Sequence, residues 1–293
     1  MDSKRSSEAT HGPQNRTIQR CGAPVDQNLN DTVTAVRAYW DSHPLGRQYA
    51  SRPGLEEGSR EFFDDIRPWM NPFKFPWIME RIERESRVIG NGHLLEIGCG
   101  MGFDSLEFLK RGVRVTATDL TPTAVALARK HFELEGVHPE DVRVENGLAL
   151  SFPDETFDAV WSNGVLHATG DTRAAVREVG RVLKPGGRAI ISHFYRKPSW
   201  MYALHRWGRE NIEYKEEDPP VNEFYTEAEI ESFFVEGFRI EEAVPEHHRA
   251  LRAKRHGLKA LLYHYGFKPT YNLLPESVAL RYAYKYSITA IKL

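Results

Sequence analysis

From about residue 90 to residue 193 the hydrophobic pattern alternates between short apolar runs and stretches with helical spacing. Leu94-Leu95-Glu96-Ile97 reads as a buried strand, and Phe103, Leu106 and Leu109 place a helix behind it. Val113–Thr118, Val142–Val144, Phe157–Trp161 and Arg188–His193 read as four more strands. Val125, Ala128 and Phe132 mark one intervening helix, with Thr121 as N-cap and Pro122 in its first turn. Val176, Val179 and Leu183 mark another, capped by Asp171 and ended by the turn Lys184-Pro185-Gly186-Gly187. Strand and helix in strict alternation predict an α/β fold with a parallel sheet and right-handed crossovers.

The flanks have a different pattern. Residues 1–30 are polar and aperiodic and read as a flexible arm. Residues 31–90 read as helical: Val33, Val36 and Tyr39-Trp40, then Phe62, Phe63 and Ile66, then Ile78, Ile82 and Glu85-Ser86. Tyr49, Trp69, Phe73, Phe75 and Trp77 make this stretch the most aromatic part of the chain. Those rings either seal the helices onto a sheet edge or form a lid over a pocket. Residues 91–293 read as the main domain, with insertions at about 195–223 and 247–285. The first carries Tyr195, Trp200, Tyr202, His205, Trp207 and the acidic run Glu216-Glu217-Asp218. Thr226 and Glu229 form a capping box, opening a helix through Ile230, Phe233 and Phe234 that Gly237 stops.

Between the first strand and its helix stand Gly98-Cys99-Gly100-Met101-Gly102, and Asp119 closes the second strand. Glycine tolerates positive φ and lets a ligand touch the main chain. In an open parallel sheet, ligands sit beyond the carboxyl ends of the strands. Both features therefore face one nucleoside-binding site, and Gly-x-Gly-x-Gly is not the Gly-x-Gly-x-x-Gly of dinucleotide folds.

LLEIGCGMG, VTATDLTPTAV, FDAVWSNGVLH and EVGRVLKPGG, in that order between Leu94 and Phe194, resemble the successive motifs of class I S-adenosylmethionine-dependent methyltransferases. They are closest to the small-molecule group that includes the quinone-modifying enzymes. The resemblance implies a Rossmann-like, seven-stranded, mostly parallel sheet with an antiparallel last strand. Phe238–Val244 and Tyr286–Leu293 would pair as its two final strands, antiparallel to the rest. It implies S-adenosylmethionine as cofactor and S-adenosylhomocysteine as product. Asp119 would accept the ribose hydroxyls, and N–H groups around Gly98, Cys99, Gly100 and Gly102 would take the carboxylate. Glu96 would hold the ammonium, directly or through water. Leu120, Asn146, Gly147 and Asn163 complete the expected cofactor set. Asn146 stands where the family usually has an aspartate, and its amide oxygen can still accept from an adenine.

Methyl transfer is an in-line displacement, so much of its acceleration comes from positioning. A base is needed only for an acceptor with a proton of high pKa. His167, His193 and Tyr195, just past strands four and five, are the candidates; each can equally be a wall of the pocket. His205, His247 and His248 have no placement to support them. The acceptor read from the aromatic flanks is a lipophilic or planar small molecule, quinone-, isoprenoid- or natural-product-like. An amine or thiol metabolite is the second reading, and a degenerate fold acting as a non-catalytic binding partner the third.

Composition narrows the partners. A formal charge of −2 argues against a protein whose main task is gripping nucleic acid. Cys21 and Cys99 are the two cysteines, and Cys99 sits in the glycine turn, so a reducing compartment fits. The polar start has no signal-peptide core and no apolar run spans a bilayer, so a cytoplasmic protein is expected. Cys-x-x-Cys and His-Glu-x-x-His are absent, so no metal site is expected. Residues 210–246 hold thirteen acids against Lys215 and Arg239, whereas 247–293 hold nine Lys/Arg against Glu276. With Leu251, Leu258, Leu261, Leu262 and Tyr265, the basic stretch is either a solvated face or a peripheral contact with an anionic membrane. The sequence leaves the oligomeric state open.

Overall fold

The computed structural model describes residues 29–50, 52–70, 76–197, 202–203, 219–246 and 258–293. Outside them lie the N-terminal arm up to residue 28, Phe73, Phe75, Trp200, His205, Trp207, Glu216-Glu217-Asp218, His247, His248, Leu251 and the basic residues 249, 252, 254 and 255.

The described elements are α1 (Leu29–Ser42), α2 (Arg60–Ile66), α3 (Pro76–Ile89), β1 (His93–Ile97), α4 (Phe103–Leu109), β2 (Arg114–Asp119), α5 (Pro122–Glu135) and β3 (Asp141–Val144). They continue with β4 (Phe157–Asn163), α6 (Thr172–Val182), β5 (Leu183–Arg196), β6 (Phe224–Tyr225), α7 (Glu227–Ser232) and β7 (Phe238–Glu246). The last are α8 (Leu258–Leu262), α9 (Lys268–Asn272), α10 (Glu276–Arg281) and β8 (Lys285–Lys292).

The sheet order is β3-β2-β1-β4-β5-β8-β7, with β6 pairing beside the end of β5. The neighbours from β3 to β5 are parallel, and β8 runs antiparallel to both β5 and β7. The seven-stranded order with an antiparallel last strand therefore holds, with two corrections. β7 points the same way as β5, so only β8 is reversed. The two-residue β6 is an eighth strand that no periodicity revealed, being too short to show one.

Successive apolar residues of each strand enter opposite cores, as expected for strands covered on both faces. Leu94, Val115, Ala159, Trp161 and Ile190 meet α3, α4 and α5, while Leu95, Ile97, Val160, Ile191 and Phe194 meet α6 and the side chains around α7. Gly102, at φ +79, is held by packing: a Cβ there would come within 2.5 Å of the Phe132 ring. Thr121 does not cap α5 with its side chain. Its hydroxyl donates to Asp119 Oδ1 at 2.8 Å.

Upstream, α2 packs through Phe62, Phe63 and Ile66 onto Met101, Phe103 and Leu127, next to the glycine turn. Phe63 stacks on His131 at 4.2 Å, and His131 Nδ1 lies 2.9 Å from the Met101 carbonyl. Arg67 and Glu135 close the edge of this contact at 2.6 Å. α3 is pinned by its ion pairs: buried Glu85 accepts from Arg188 of β5 at 2.9 Å, and Arg81 donates to Glu246 of β7 at 2.8 Å. Among the described residues no helix is long and apolar enough to cross a membrane.

Because Phe63 is 1% exposed between His131 and Phe103, Phe63→Ala should destabilise the chain by roughly 3–5 kcal/mol in urea unfolding. A loss well below 1 kcal/mol would mean that the helices before β1 do not depend on this contact.

Candidate functional site

The glycine turn is built by main-chain bonds to the neighbouring strand. Gly98 N and Cys99 N both donate to the Thr118 carbonyl at 2.8 Å, and Gly100 N donates to Asp119 Oδ2 at 3.0 Å. Gly98, at φ +80, leaves no room for a side chain, since a Cβ would lie 2.2 Å from Val165. Gly100 is the opposite: at φ +52, a Cβ would find no atom within 4 Å. The turn thus has a packed side and an open one.

Asp119 sits half-buried at the end of β2, with Leu120 beside it. Its Oδ1 accepts from Thr121 N at 2.9 Å and from the Thr121 hydroxyl, and its Oδ2 from Gly100 N. A carboxylate has about four lone-pair sites, and the Leu120 main chain also bonds to this one. Burial pushes the Asp119 carboxyl above its ordinary range, and these hydrogen bonds oppose the shift.

Glu96 is 2% exposed and accepts from the Ser105 hydroxyl. Burial first, and the neighbouring Asp104 second, push its carboxyl well above the usual carboxylate range. Asp104, absent from the sequence reading, is also buried, and its Oδ2 accepts from Trp161 Nε1 and Asn163 Nδ2, each at 2.9 Å. Burial first, then the Asp119 and Glu96 carboxyls, push the Cys99 thiol well above its ordinary range. Asn146 uses its amide oxygen to accept from Leu148 N at 3.0 Å, so the group expected to meet an adenine already serves its own turn. Gly147 lies against Ile97 of β1.

The three candidate bases separate. His167 is 6% exposed, packs edge-on against Tyr195 at 4.6 Å, and its buried Nδ1 makes no hydrogen bond within the described residues. Desolvation, then the Lys285 ammonium, push it down to about 3, which leaves it neutral and weakly basic. Tyr195 joins an aromatic wall with Phe224 at 5.1 Å and Tyr284 at 6.0 Å. His193 is elsewhere in its bonding: its Nδ1 pairs with Asn163 Oδ1, and its Nε2 stands 3.6 Å from Glu246 Oε2. It is 4% exposed and adopts φ +66, a conformation rare for a residue with a Cβ and found most often at functional positions. Trp77 covers the ring edge-on at 5.2 Å.

Glu246 is 4% exposed, and its Oε1 accepts from Arg81 and from the Ser287 hydroxyl. Burial raises its carboxyl against the pull of Arg81. Arg81, Asp104 and Glu246 were not singled out from the sequence, whereas Trp77 was, among the aromatics of the helical stretch before β1. Asp104 alone had a signal there, an acid in the first turn after the glycines.

Residues 95–191 match a family model described as a methyltransferase domain. Among curated relatives, the ubiquinone biosynthesis O-methyltransferase of Xanthomonas oryzae pv. oryzae is 33% identical over 144 residues, 49% of this chain and 57% of that protein. The protein of the same name from Xanthomonas euvesicatoria pv. vesicatoria is 34% identical over 145 residues, with the same coverage. The chain thus spans little more than half the length of these relatives. A putative methyltransferase structure from Bacillus halodurans superposes with TM-score 0.52 at 18% identity, over 73% of this chain and 98% of that one. The cyclase SpnF superposes with TM-score 0.53 at 17% identity, over 94% and 98%. At these identities the structures speak for the fold alone.

S-adenosylmethionine carries positive charge on its sulfonium and ammonium groups. The open side of Gly100 and the gathering of Glu96, Asp104 and Asp119 around it fit such a ligand. The raised carboxyl of Glu96 has a measurable consequence for the cofactor-free chain. A folded-state pKa above the ordinary 4.5 stabilises the fold fully below that ordinary value, and the contribution disappears as pH rises through the raised one. Glu96→Gln should therefore unfold at a higher urea concentration than the parent at alkaline pH, with the advantage vanishing near pH 4. An equal midpoint across the whole range would show that Glu96 does not ionise there. The core of the parallel sheet and this acid-lined turn lie within the stretch, residues 95–191, that is similar to a methyltransferase domain.

Proposed function

We propose that this chain transfers the methyl group of S-adenosylmethionine to a small, lipophilic or aromatic acceptor. The observation that carries the reading is the acid-lined glycine turn, which lies at the same end of the sheet as the wall formed by Tyr195, Phe224, Tyr284 and His167. The name of the curated relatives supports oxygen as the methylated atom.

The cofactor's part is an electrophilic methyl carbon on a good leaving group; binding and aligning it fall to the chain. Asp119 takes a ribose hydroxyl, and the amino-acid carboxylate lies on the open side of the turn at Gly100, because the N–H groups of Gly98, Cys99, Gly100 and Gly102 already bond Thr118, Asp119 and Cys99. Glu96 and Asp104 favour the ammonium and sulfonium through their field, Glu96 through water because it is buried behind Ser105. Leu120, Asn146 and Gly147 border the adenine side, and Asn163 closes the methionine side. In this reading His167 and Tyr195 form the acceptor's wall. Leu258, Leu261, Leu262 and Tyr265 stand exposed in the basic C-terminal part, which supports a peripheral contact with anionic membrane for a protein meeting lipophilic substrates.

Calorimetry should give micromolar binding of S-adenosylmethionine and S-adenosylhomocysteine and none of NADH or NADPH. Asp119→Ala should weaken both by roughly 1.5–3 kcal/mol, the worth of hydrogen bonds to a charged group. Incubation with a panel of hydroxylated quinone-like and phenolic compounds should then yield a product heavier by about 14 Da, the methyl-for-hydrogen exchange. Binding without product on any acceptor would favour the non-catalytic binding partner.

A further inference from the structure

The hydrogen bonds around Asn163 determine where protons sit on His193. The Asp104 carboxylate only accepts, and it already holds the Trp161 indole N–H. Asn163 must therefore turn its amide nitrogen toward Asp104 and its oxygen toward His193. That oxygen only accepts, so His193 Nδ1 carries the hydrogen, and the lone pair of the neutral ring lies on Nε2. Nε2 faces Glu246 Oε2 at 3.6 Å, and this carboxylate oxygen is buried without a hydrogen bond within the described residues. Two acceptors 3.6 Å apart are too far for a direct bond. A hydroxyl oxygen about 2.8 Å from Nε2 would sit beside the line joining them and donate its one proton to the ring, with the carboxylate next to it.

We infer that His193 and Glu246 together receive the proton of a hydroxyl on the methyl acceptor, with Asn163 and Asp104 as positioning residues that present Nε2 for it. The inference rests on the methyl-transfer reading and adds the acceptor class to it. As the hydroxyl oxygen bonds to the methyl carbon, the carbon–sulfur bond breaks and leaves its electron pair on sulfur. The hydroxyl proton moves to Nε2, and the Glu246 carboxylate balances the imidazolium. An amine attacks with a lone pair it already has, whereas a hydroxyl becomes a strong acid as it reacts and needs a base within reach. Among the described residues, Trp77 and Arg81 from α3, Ser192 from β5, and Ser287 and Lys285 from β8 face the pair. Burial raises the Glu246 carboxyl, and Arg81 and Lys285 oppose that shift.

The test uses 4-nitrophenol, whose phenolate is yellow, added to the full chain saturated with S-adenosylhomocysteine at a pH below the phenol's own ionisation. Binding should raise the phenolate fraction about tenfold or more over buffer. Glu246→Gln should move the ionisation of bound phenol to higher pH, and His193→Phe should abolish it. S-adenosylhomocysteine affinity should stay within about twofold for Glu246→Gln, whose side chain contacts neither the glycine turn nor Asn163. Glu246→Asp should restore part of the effect. If a variant fails to fold, nitrogen-15 histidine spectra of the parent chain decide the matter, because a proton on His193 Nε2 alone would overturn the assignment. Unchanged phenolate on the parent chain with S-adenosylhomocysteine bound would also overturn it and leave methyl transfer standing. Absence of S-adenosylhomocysteine binding would overturn the methyl-transfer reading itself.

Discussion

Burying negative charge is costly, and this fold places three carboxylates at one end of its sheet. Glu96, Asp104 and Asp119 are each held by hydrogen bonds from hydroxyls, an indole, an amide or the main chain. Those bonds keep the groups in place without neutralising them, so burial first and Asp104 second still raise the Glu96 carboxyl. A site of this kind is stable with a proton or with a cation. The glycine turn, the shape of β2 and the start of α4 all follow from keeping that charge beside an open surface.

The other end of the network is built by long-range pairing. α3 precedes the first strand, yet its Arg81 reaches Glu246 in β7 and Ser192 in β5. Its Glu85 holds Arg188 further down the same strand. Buried ion pairs contribute little net stability against apolar packing, but losing one partner strands the other charge. The pairs therefore act mainly to fix alignment: helix, parallel strands and the C-terminal hairpin must be in register for Arg81, Glu246 and His193 to meet.

The sequence was most legible where structure is local. Strand, turn, helix and Asp119 lie within about 25 residues, and the periods of two and 3.6 placed each of them. The reversed β8 followed from resemblance. The direction of β7 was misread because a strand's own pattern carries no sign of its orientation. Asp104, 59 residues from Asn163, and Glu246, 165 residues from Arg81, could not be found by spacing. Polar residues at such separations look like any other surface charge until the sheet brings them together. Thr121 shows a smaller failure of the same kind. Its position predicted a cap, but its side chain accepts no helix N–H, and its hydroxyl donates to Asp119.

Trp161 gives this charge cluster an optical consequence. Its indole is fully buried, and its N–H bonds to Asp104, one wall of the carboxylate cluster. An indole in that position emits from an apolar surround while feeling a strong local field from the acids. Neutralising those acids, by protons or by a bound cation, changes the field across the ring. The chain thus contains an intrinsic fluorophore whose colour and intensity report the electrostatic state of the glycine turn without any label.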